Sequence, residues 1–325
     1  MEIPNNDSKY RCIGGGCCGS VWALENTPWV VKCEDGNRGR SILNDQTMHR
    51  KVLASDPTSR LPVRIPASFQ ILETDDNWWA DHLARFPSDR TACKAYSQER
   101  IPAVPLDIRE LLITQYCPEA IQATTRVSDV NEDCLIRIYT GKRRREGGQP
   151  PSFFNLRNYG LHIEQIQQLG LDARTIVKAL AHTLAHCYWR AHVDLNDVEF
   201  VLAPPTELLC SSTPTFKIQG TQQELVIWML DYDCVRDMLM TREGVQQAVK
   251  AFYQNDAYFP RPHFFGHIKE DVDLWTMFKA EFLRASSEFL NKQDFALAEL
   301  WVEMVEDEGR RRNVGCWCRD ELGET

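Results

Sequence analysis

One stretch narrows the possible folds more than the rest of the chain: Ile13-Gly14-Gly15-Gly16-Cys17-Cys18-Gly19-Ser20-Val21, followed by Val30-Val31-Lys32. Its spacing is I-G-x-G-x-x-G-x-V, with a lysine closing an apolar run 13 residues after the last glycine. Gly14, Gly16 and Gly19 leave a backbone without Cβ atoms, which a phosphate can approach closely. Lys32, at the end of the next strand, brings a point charge within reach of phosphate oxygens. A dinucleotide-binding fingerprint requires a helix directly after the glycines. Here Val21-Trp22-Ala23-Leu24 and Trp29-Val30-Val31 read as strands instead. The expectation is a strand–turn–strand phosphate loop, with a plain glycine-rich hairpin as the alternative.

Two further segments follow. His192-Val193-Asp194-Leu195-Asn196-Asp197-Val198-Glu199 comes after a strong helical pattern, and the apolar run Val226–Leu230 ends in Asp231-Tyr232-Asp233. In order and spacing the three segments resemble the glycine loop, the H-R-D-L-x-x-x-N loop and the D-F-G segment of protein kinases. Asp194 falls on the catalytic aspartate, Glu199 on the metal-binding asparagine, and Asp231 on the D-F-G aspartate. The resemblance implies an α+β, two-lobed protein-kinase-like fold. A strand-rich N-lobe is expected over 1–125 and a mainly helical C-lobe over 126–325.

The departures are as informative. The arginine of H-R-D is missing, Glu199 replaces the asparagine, Asp233 replaces the glycine of D-F-G, and no A-P-E signature follows. The helix partner of Lys32 is unclear; Asp45 or Gln46, in the expected helix 41–53, stands nearest its place. Asp194, Asp197, Glu199, Asp231 and Asp233 would crowd one cleft with carboxylates, which repel unless a cation joins them. Mg²⁺ suits such a site, and so does a guanidinium, which pairs with carboxylates through two hydrogen bonds. In the plainer alternative, Asp194 and Asp197 are turn residues and Asp231 caps a strand end.

The chain has 325 residues, 43% of them hydrophobic, enough for a sizeable core. No apolar run approaches the ~20 residues of a membrane span. The polar start Met1-Glu2-Ile3-Pro4 and twelve cysteines lead us to expect a cytoplasmic protein with reduced thiols. Cys316-Trp317-Cys318 lacks a second pair at zinc spacing, so no metal site is expected from it. His182 and His186 lie one turn apart on the helix 172–191 and are expected to pack rather than bind metal. The net charge of −9 argues against a general nucleic-acid binder, and no DNA partner is expected. Two basic clusters stand against it: Lys142-Arg143-Arg144-Arg145 and Arg310-Arg311-Arg312. Each is either a solvated face or a seat for a phosphate backbone.

The remaining pattern predicts a strand over 67–73, a polar loop or insertion over 74–100, and a strand over 109–117 at the hinge. Beyond the helix 172–191, strands are expected at 216–218 and 225–230, and helices at 244–253, 271–289 and 293–305.

Taken together, Ile13 to Trp22, Asp194 to Leu202, Leu230 to Asp233 and Asn255-Asp256 through Pro260-Arg261-Pro262 resemble a filamentous-fungal family. Its members were long filed as uncharacterised or zinc-finger-like proteins, and some are arginine-containing cyclodipeptide synthases. The resemblance implies an enzyme that joins arginine from arginyl-tRNA to an amino acid from a second aminoacyl-tRNA and closes a diketopiperazine. Such esters are already activated, so no cofactor is required, and holding two aminoacyl ends together supplies most of the rate. On this reading Asp194 or Asp197 is the general base. Glu199 or Asp231 receives the arginine guanidinium. Lys32 and the glycine loop, with Asp233 nearby, hold a terminal tRNA phosphate. Lys142, Arg143, Arg144, Arg145, Arg310, Arg311 and Arg312 steer the tRNA. Bacterial cyclodipeptide synthases use a Rossmann-like fold and a serine nucleophile, neither of which this chain shows; Ser20 is the candidate at hand.

Two rivals remain. A phosphotransferase would use Mg and ATP on a small molecule, with Lys32 as phosphate anchor, Asp194 as base, and Glu199 and Asp231 as metal ligands. A non-catalytic pseudokinase scaffold would explain the irregular D-F-G segment.

Overall fold

The computed structural model describes residues 8–36, 40–144, 153–206, 213–262 and 268–312 in full, and the backbone of 313–320. The glycine segment folds as a hairpin: β1 (Tyr10–Gly15) and β2 (Ser20–Leu24), continued by β3 (Trp29–Cys33). After β3 comes α1 (Ile42–Ser55), capped by Ser41, whose hydroxyl accepts from the Asn44 amide. Then follow β4 (Ser68–Leu72), α2 (Asn77–His82) and β5 (Ala95–Glu99). The five strands form one antiparallel sheet in the order β1-β2-β3-β5-β4. Tyr10, Trp22, Leu24, Trp29, Val31, Trp79 and Phe86 make its apolar face, with the Tyr10 and Phe86 rings stacked at 4.1 Å.

β5 lies within the stretch expected to be a loop. Its sequence, Ala-Tyr-Ser-Gln-Glu, is too polar to announce a strand, yet Ala95, Tyr96 and Ser97 are all buried between β3 and β4. Tertiary pairing decides the matter here. The opposite correction applies to 109–117. That apolar run is not a strand but most of α3 (Leu106–Tyr116), which starts after Pro105. Ile108 and Leu112, one turn apart, are fully buried in the core of the second lobe. α3, the first helix after the 100–105 segment, thus packs in the larger core.

The second lobe continues with α4 (Glu119–Arg126), β6 (Ile136–Tyr139), β7 (Tyr159–His162), α5 (Ile163–Gln168) and α6 (Ala173–Trp189). After these come β8 (Glu199–Ala203), β9 (Phe216–Lys217), β10 (Glu224–Leu230), α7 (Arg242–Gln254), α8 (Lys269–Phe289) and α9 (Phe295–Asp320). The strands form a second sheet, β7-β6-β8-β10-β9. Asp172 caps α6, which is buried nearly all round and packs Tyr188 and Trp189 against Phe282 of α8. Tyr188, Phe252, Phe278, Phe282 and Trp301 are wholly buried. Each such side chain contributes about 1.5–3 kcal/mol by leaving water. The result is a mixed α+β molecule with a strand-rich N-terminal lobe and a helical C-terminal lobe. Among the described residues no helix is long and apolar enough to cross a membrane.

α1 belongs to both lobes. Met48 and Val52 join the larger core, and the Asn44 amide donates to the carbonyls of Asp233 (2.9 Å) and Val235 (3.1 Å).

Candidate functional site

The glycine loop, β3, the 100–103 crossover and the second sheet enclose a cavity of about 180 Å³. Val21, Val30, Val201 and Leu230 form its apolar walls, and Lys32, Arg100, Asp133, Arg137, Arg157, Glu199 and Asp231 its charged groups. A larger cavity of about 1130 Å³ lies on the other side of the crossover. Its Arg64 and Glu99 already pair with each other, so it offers less chemistry.

Lys32 is buried and stands between two carboxylates. It pairs with Asp45 of α1, and its ammonium lies 2.8 Å from Asp231 Oδ1. Burial works against this charge, but Asp231 and Asp45 outweigh it and hold the ammonium well above the usual lysine range. Asp45 is wholly buried and also accepts from the Tyr96 hydroxyl (3.2 Å) and the Tyr232 amide (3.2 Å). The helix partner of Lys32 is thus Asp45. Gln46 is also buried.

Glu199 and Asp231 meet because β8 and β10 pair antiparallel with Leu230 opposite Glu199. Arg137 of β6 grips Glu199 through Nε (3.1 Å) and Nη2. Burial and then Asp231 push the Glu199 carboxyl up to about 7, against the pull of Arg137. Asp231 has a left-handed backbone, as do His192, Leu195 and Asp197. Such conformations cost of order 1–3 kcal/mol each in non-glycine residues and cluster at functional sites.

Asp194 is 4% exposed and does not line the cavity. Its carboxylate accepts from the amides of Asn196 (3.1 Å) and Arg236 (3.0 Å) and from Gln247 Nε2 (2.8 Å). It fastens the 192–199 loop to the 231–237 turn and to α7. Asp197 is exposed, and its carboxyl is raised by partial burial, by Asp231 and by Asp233. Asp233 is buried and does not line the cavity: Arg40 Nη1 holds its Oδ2 at 2.8 Å. Arg40 also reaches Asp197 at 3.5 Å and bonds Cys234. Among the described residues Asp197, Asp233 and Cys234 are the one grouping with metal-ligand spacing, and Arg40 already neutralises it.

The glycines divide into two kinds. A Cβ on Gly19 would stand 1.8 Å from the Cys33 carbonyl oxygen, so its glycine is required by packing. A Cβ on Gly14 would press on Val21 at 3.3 Å. Gly15 and Gly16 have only open space there and do not adopt a left-handed conformation. Neither packing nor backbone strain explains them, and both line the cavity. Ser20 is buried and no nucleophile here: it donates to Asp35 (2.6 Å) and accepts from Trp22 Nε1 (2.6 Å).

The basic clusters are largely compensated. Arg143 is forked onto Asp271, with Nη2–Oδ1 at 2.7 Å, while Lys142 and Arg144 are exposed and Arg145 lies outside the described residues. Arg310 pairs with Asp307, and Arg311 and Arg312 both pair with Glu308 along α9. These are the pairs of a solvated helix face. His186 bonds Ser55 (2.8 Å), and burial lowers its pKa to about 4. Cys316 and Cys318 lie outside the residues whose side chains are described. Sequence reasoning missed Arg137 and Arg157, because β6 and the turn before β7 carry no pattern that marks them.

A family model described as "Zinc finger protein" matches residues 227–294. That segment holds one cysteine and two histidines, Cys234, His263 and His267. A structural zinc site takes four Cys or His ligands. No curated protein sequence matches the chain. Among solved structures, the microcompartment-associated aminopropanol kinase aligns at 8% identity over 96% of this chain and 94% of that one, with a TM-score of 0.26. A variant of aminoglycoside 2'-phosphotransferase-IIIa in its GDP complex aligns at 12% identity over 97% and 94%, with a TM-score of 0.25.

Proposed function

We propose that this protein is a transferase of kinase-like fold whose interlobe cleft binds a nucleoside phosphate. One observation carries the reading: Lys32, held between Asp45 and Asp231, faces a cavity roofed by two glycines that the fold itself does not need. The apolar walls suit a base, and the lysine with the bare backbone suits a phosphate.

Phosphoryl transfer to a small molecule is the first form of this reading. Asp231 and Glu199 both line the cleft cavity and would hold Mg²⁺ only by loosening their pairs with Lys32 and Arg137. When bound there, the ion would supply charge neutralisation for the phosphates. Lys32 anchors a phosphate and keeps Asp45 as its fixed partner. Asp197, exposed and with a raised carboxyl, would take the proton from an acceptor hydroxyl outside the cavity, which neither it nor Asp194 lines, because the Asp194 carboxylate already accepts from three donors.

A second form is the tRNA-dependent synthesis of cyclo(Arg-Xaa). In it Glu199, which lines the cavity and is held by Arg137, would exchange that guanidinium for the one of a substrate arginine, and the adenosine end of a tRNA would occupy the base slot.

Two measurements separate the forms. Thermal shift and phosphate release with ATP and Mg²⁺ should show stabilisation and turnover that Lys32→Met/Asp45→Asn, which leaves no lone buried charge, abolishes if the first holds. Mass spectrometry of a bacterial host expressing the chain should show a new cyclo(Arg-Xaa) ion, lost in Glu199→Ala, if the second does. Folded protein that shows no nucleotide binding and yields no new dipeptide would end the transferase reading.

A further inference from the structure

Seven charged side chains line the cleft cavity, and six of them are paired. Lys32 holds Asp231, Arg137 holds Glu199, and Arg100 Nη2 holds Asp133 Oδ1 at 3.0 Å. The seventh is Arg157, which makes no hydrogen bond or ion pair among the described residues. An arginine carries up to five donors, and its charge persists at any relevant pH.

Arg157 is not a floppy surface residue. The preceding Leu156 is wholly buried, and its amide donates to Asn131 Oδ1 at 2.8 Å. Asn131 is itself buried and bonded to the Thr125 carbonyl. The turn closes through the Tyr159 amide on the Leu156 carbonyl (3.1 Å). The next residue, Asn158, has φ of 58°. β7 then runs parallel to β6, with Gly160 opposite Arg137. A rigid turn thus presents an unpartnered guanidinium to the cavity that Lys32 and Arg137 also line. Pre-organisation of this kind cuts the entropy cost of binding.

We infer that Arg157, supported by Arg137 and facing the glycine loop, is an anion subsite for the phosphate of the bound substrate, one that needs no metal ion. This deepens the nucleoside-phosphate reading and rests on it for the identity of the ligand. Arg157 supplies a planar fork to phosphate oxygens. Arg137 keeps Nε and Nη2 on Glu199 and has Nη1 3.5 Å from Asp256, so its part is the positive field at the cavity wall and Arg157 carries the direct contacts. A mononucleotide and the 3'-terminal phosphodiester of an RNA share the chemistry that this subsite recognises.

The test uses inorganic pyrophosphate and adenosine separately, by calorimetry on the full chain in excess chelator. Pyrophosphate should bind, and Arg157→Ala should weaken it at least tenfold while adenosine affinity and the melting temperature stay unchanged. Arg157→Lys should recover part of the loss, since a point charge remains without the fork. No pyrophosphate binding in chelator, or equal binding by Arg157→Ala, overturns the subsite. Loss of adenosine binding together with pyrophosphate in Arg157→Ala overturns it too, because the turn would then be structural. If the wild-type protein binds pyrophosphate but not adenosine, the subsite stands and the nucleoside reading fails. ATP and a short RNA ending in adenosine should each displace pyrophosphate, the stronger competitor naming the source. Displacement by neither counts against the subsite.

Discussion

Asp194 and Asp197 lie three residues apart and have opposite lives. Removing the Asp194 carboxylate leaves the Asn196 and Arg236 amides without that acceptor, while Gln247 Nε2 keeps the Asp237 carbonyl at 3.0 Å. Each orphaned buried donor costs about 1–3 kcal/mol. Asp194→Ala should therefore lower unfolding stability by roughly 2–5 kcal/mol in urea titrations. Asp197→Ala, at an exposed side chain, should stay within about 1 kcal/mol while abolishing turnover. Equal stability of the two variants would sink the distinction. Both residues stand out in the sequence as acids after a helix. What was not legible is which one points at solvent, because that depends on Gln247 and Arg236, which are distant along the chain. Lys32, Glu199 and Asp231 could be placed in one cleft from motif spacing alone. Arg137 and Arg157 could not, since each owes its place to pairing between β6, β7 and β8.

Glu199 also sets a pH dependence. Its carboxyl is raised from 4.5 to about 7, burial being the main cause. Between those values the native state holds a proton that the unfolded chain has released. Stability therefore falls as pH rises from about 4.5 to about 7 and levels off above. The fall should be on the order of 3 kcal/mol. Glu199→Gln should remove most of it in denaturant titrations run at pH 5, 6, 7 and 8 with chelator. An unchanged slope in that variant would mean another group carries the titration.

At the scale of elements, the joint that matters is β3 against α1. Position 45 is legible as an acid near the right place in a helix, but its total burial depends on Tyr96 of β5, and β5 lies in a stretch too polar to read as a strand. A consequence is that Lys32→Met is not a clean functional probe. It leaves the Asp45 carboxylate buried with only Tyr96 and Tyr232 as donors. Removing one partner of a buried pair costs about 3–5 kcal/mol. In Lys32→Met/Asp45→Asn the side-chain oxygen still accepts from both tyrosines and no lone charge remains. A double-mutant cycle should return a coupling of at least about 2 kcal/mol. Near-additive losses would show that Asp45 is ionised weakly or not at all beside Lys32.

For the whole molecule, the two lobes are tied unequally. On the α1 side, Asn44 bonds carbonyls of the 232–235 turn, Lys51 pairs with Asp237, and Arg40 pairs with Asp233. At the mouth of the cleft the tie is Asp133. It holds Arg11 of β1, whose Nη2 stands 3.1 Å from Oδ1, and Arg100 of the crossover. Arg11 is half-exposed, so its bond is weak and screened by salt. Opening should therefore swing the glycine loop about the α1 side, with Asp133 as the catch. Asp133→Ala leaves Arg11 with Glu132 at 3.6 Å and Arg100 with the Leu24 carbonyl at 3.4 Å, and should cost about 1–2 kcal/mol of stability. Amide hydrogen exchange at residues 11–16 should rise several-fold, while exchange across 42–55 stays as in the wild type. Wild-type protein in 1 M salt should show the same pattern in weaker form. Equal acceleration in α1 would mean that the lobes part as a whole and that the α1 contacts are no pivot. A ligand that seats on Lys32 and Arg157 bridges glycine loop and floor, so saturating pyrophosphate should restore slow exchange at 11–16 even without Asp133.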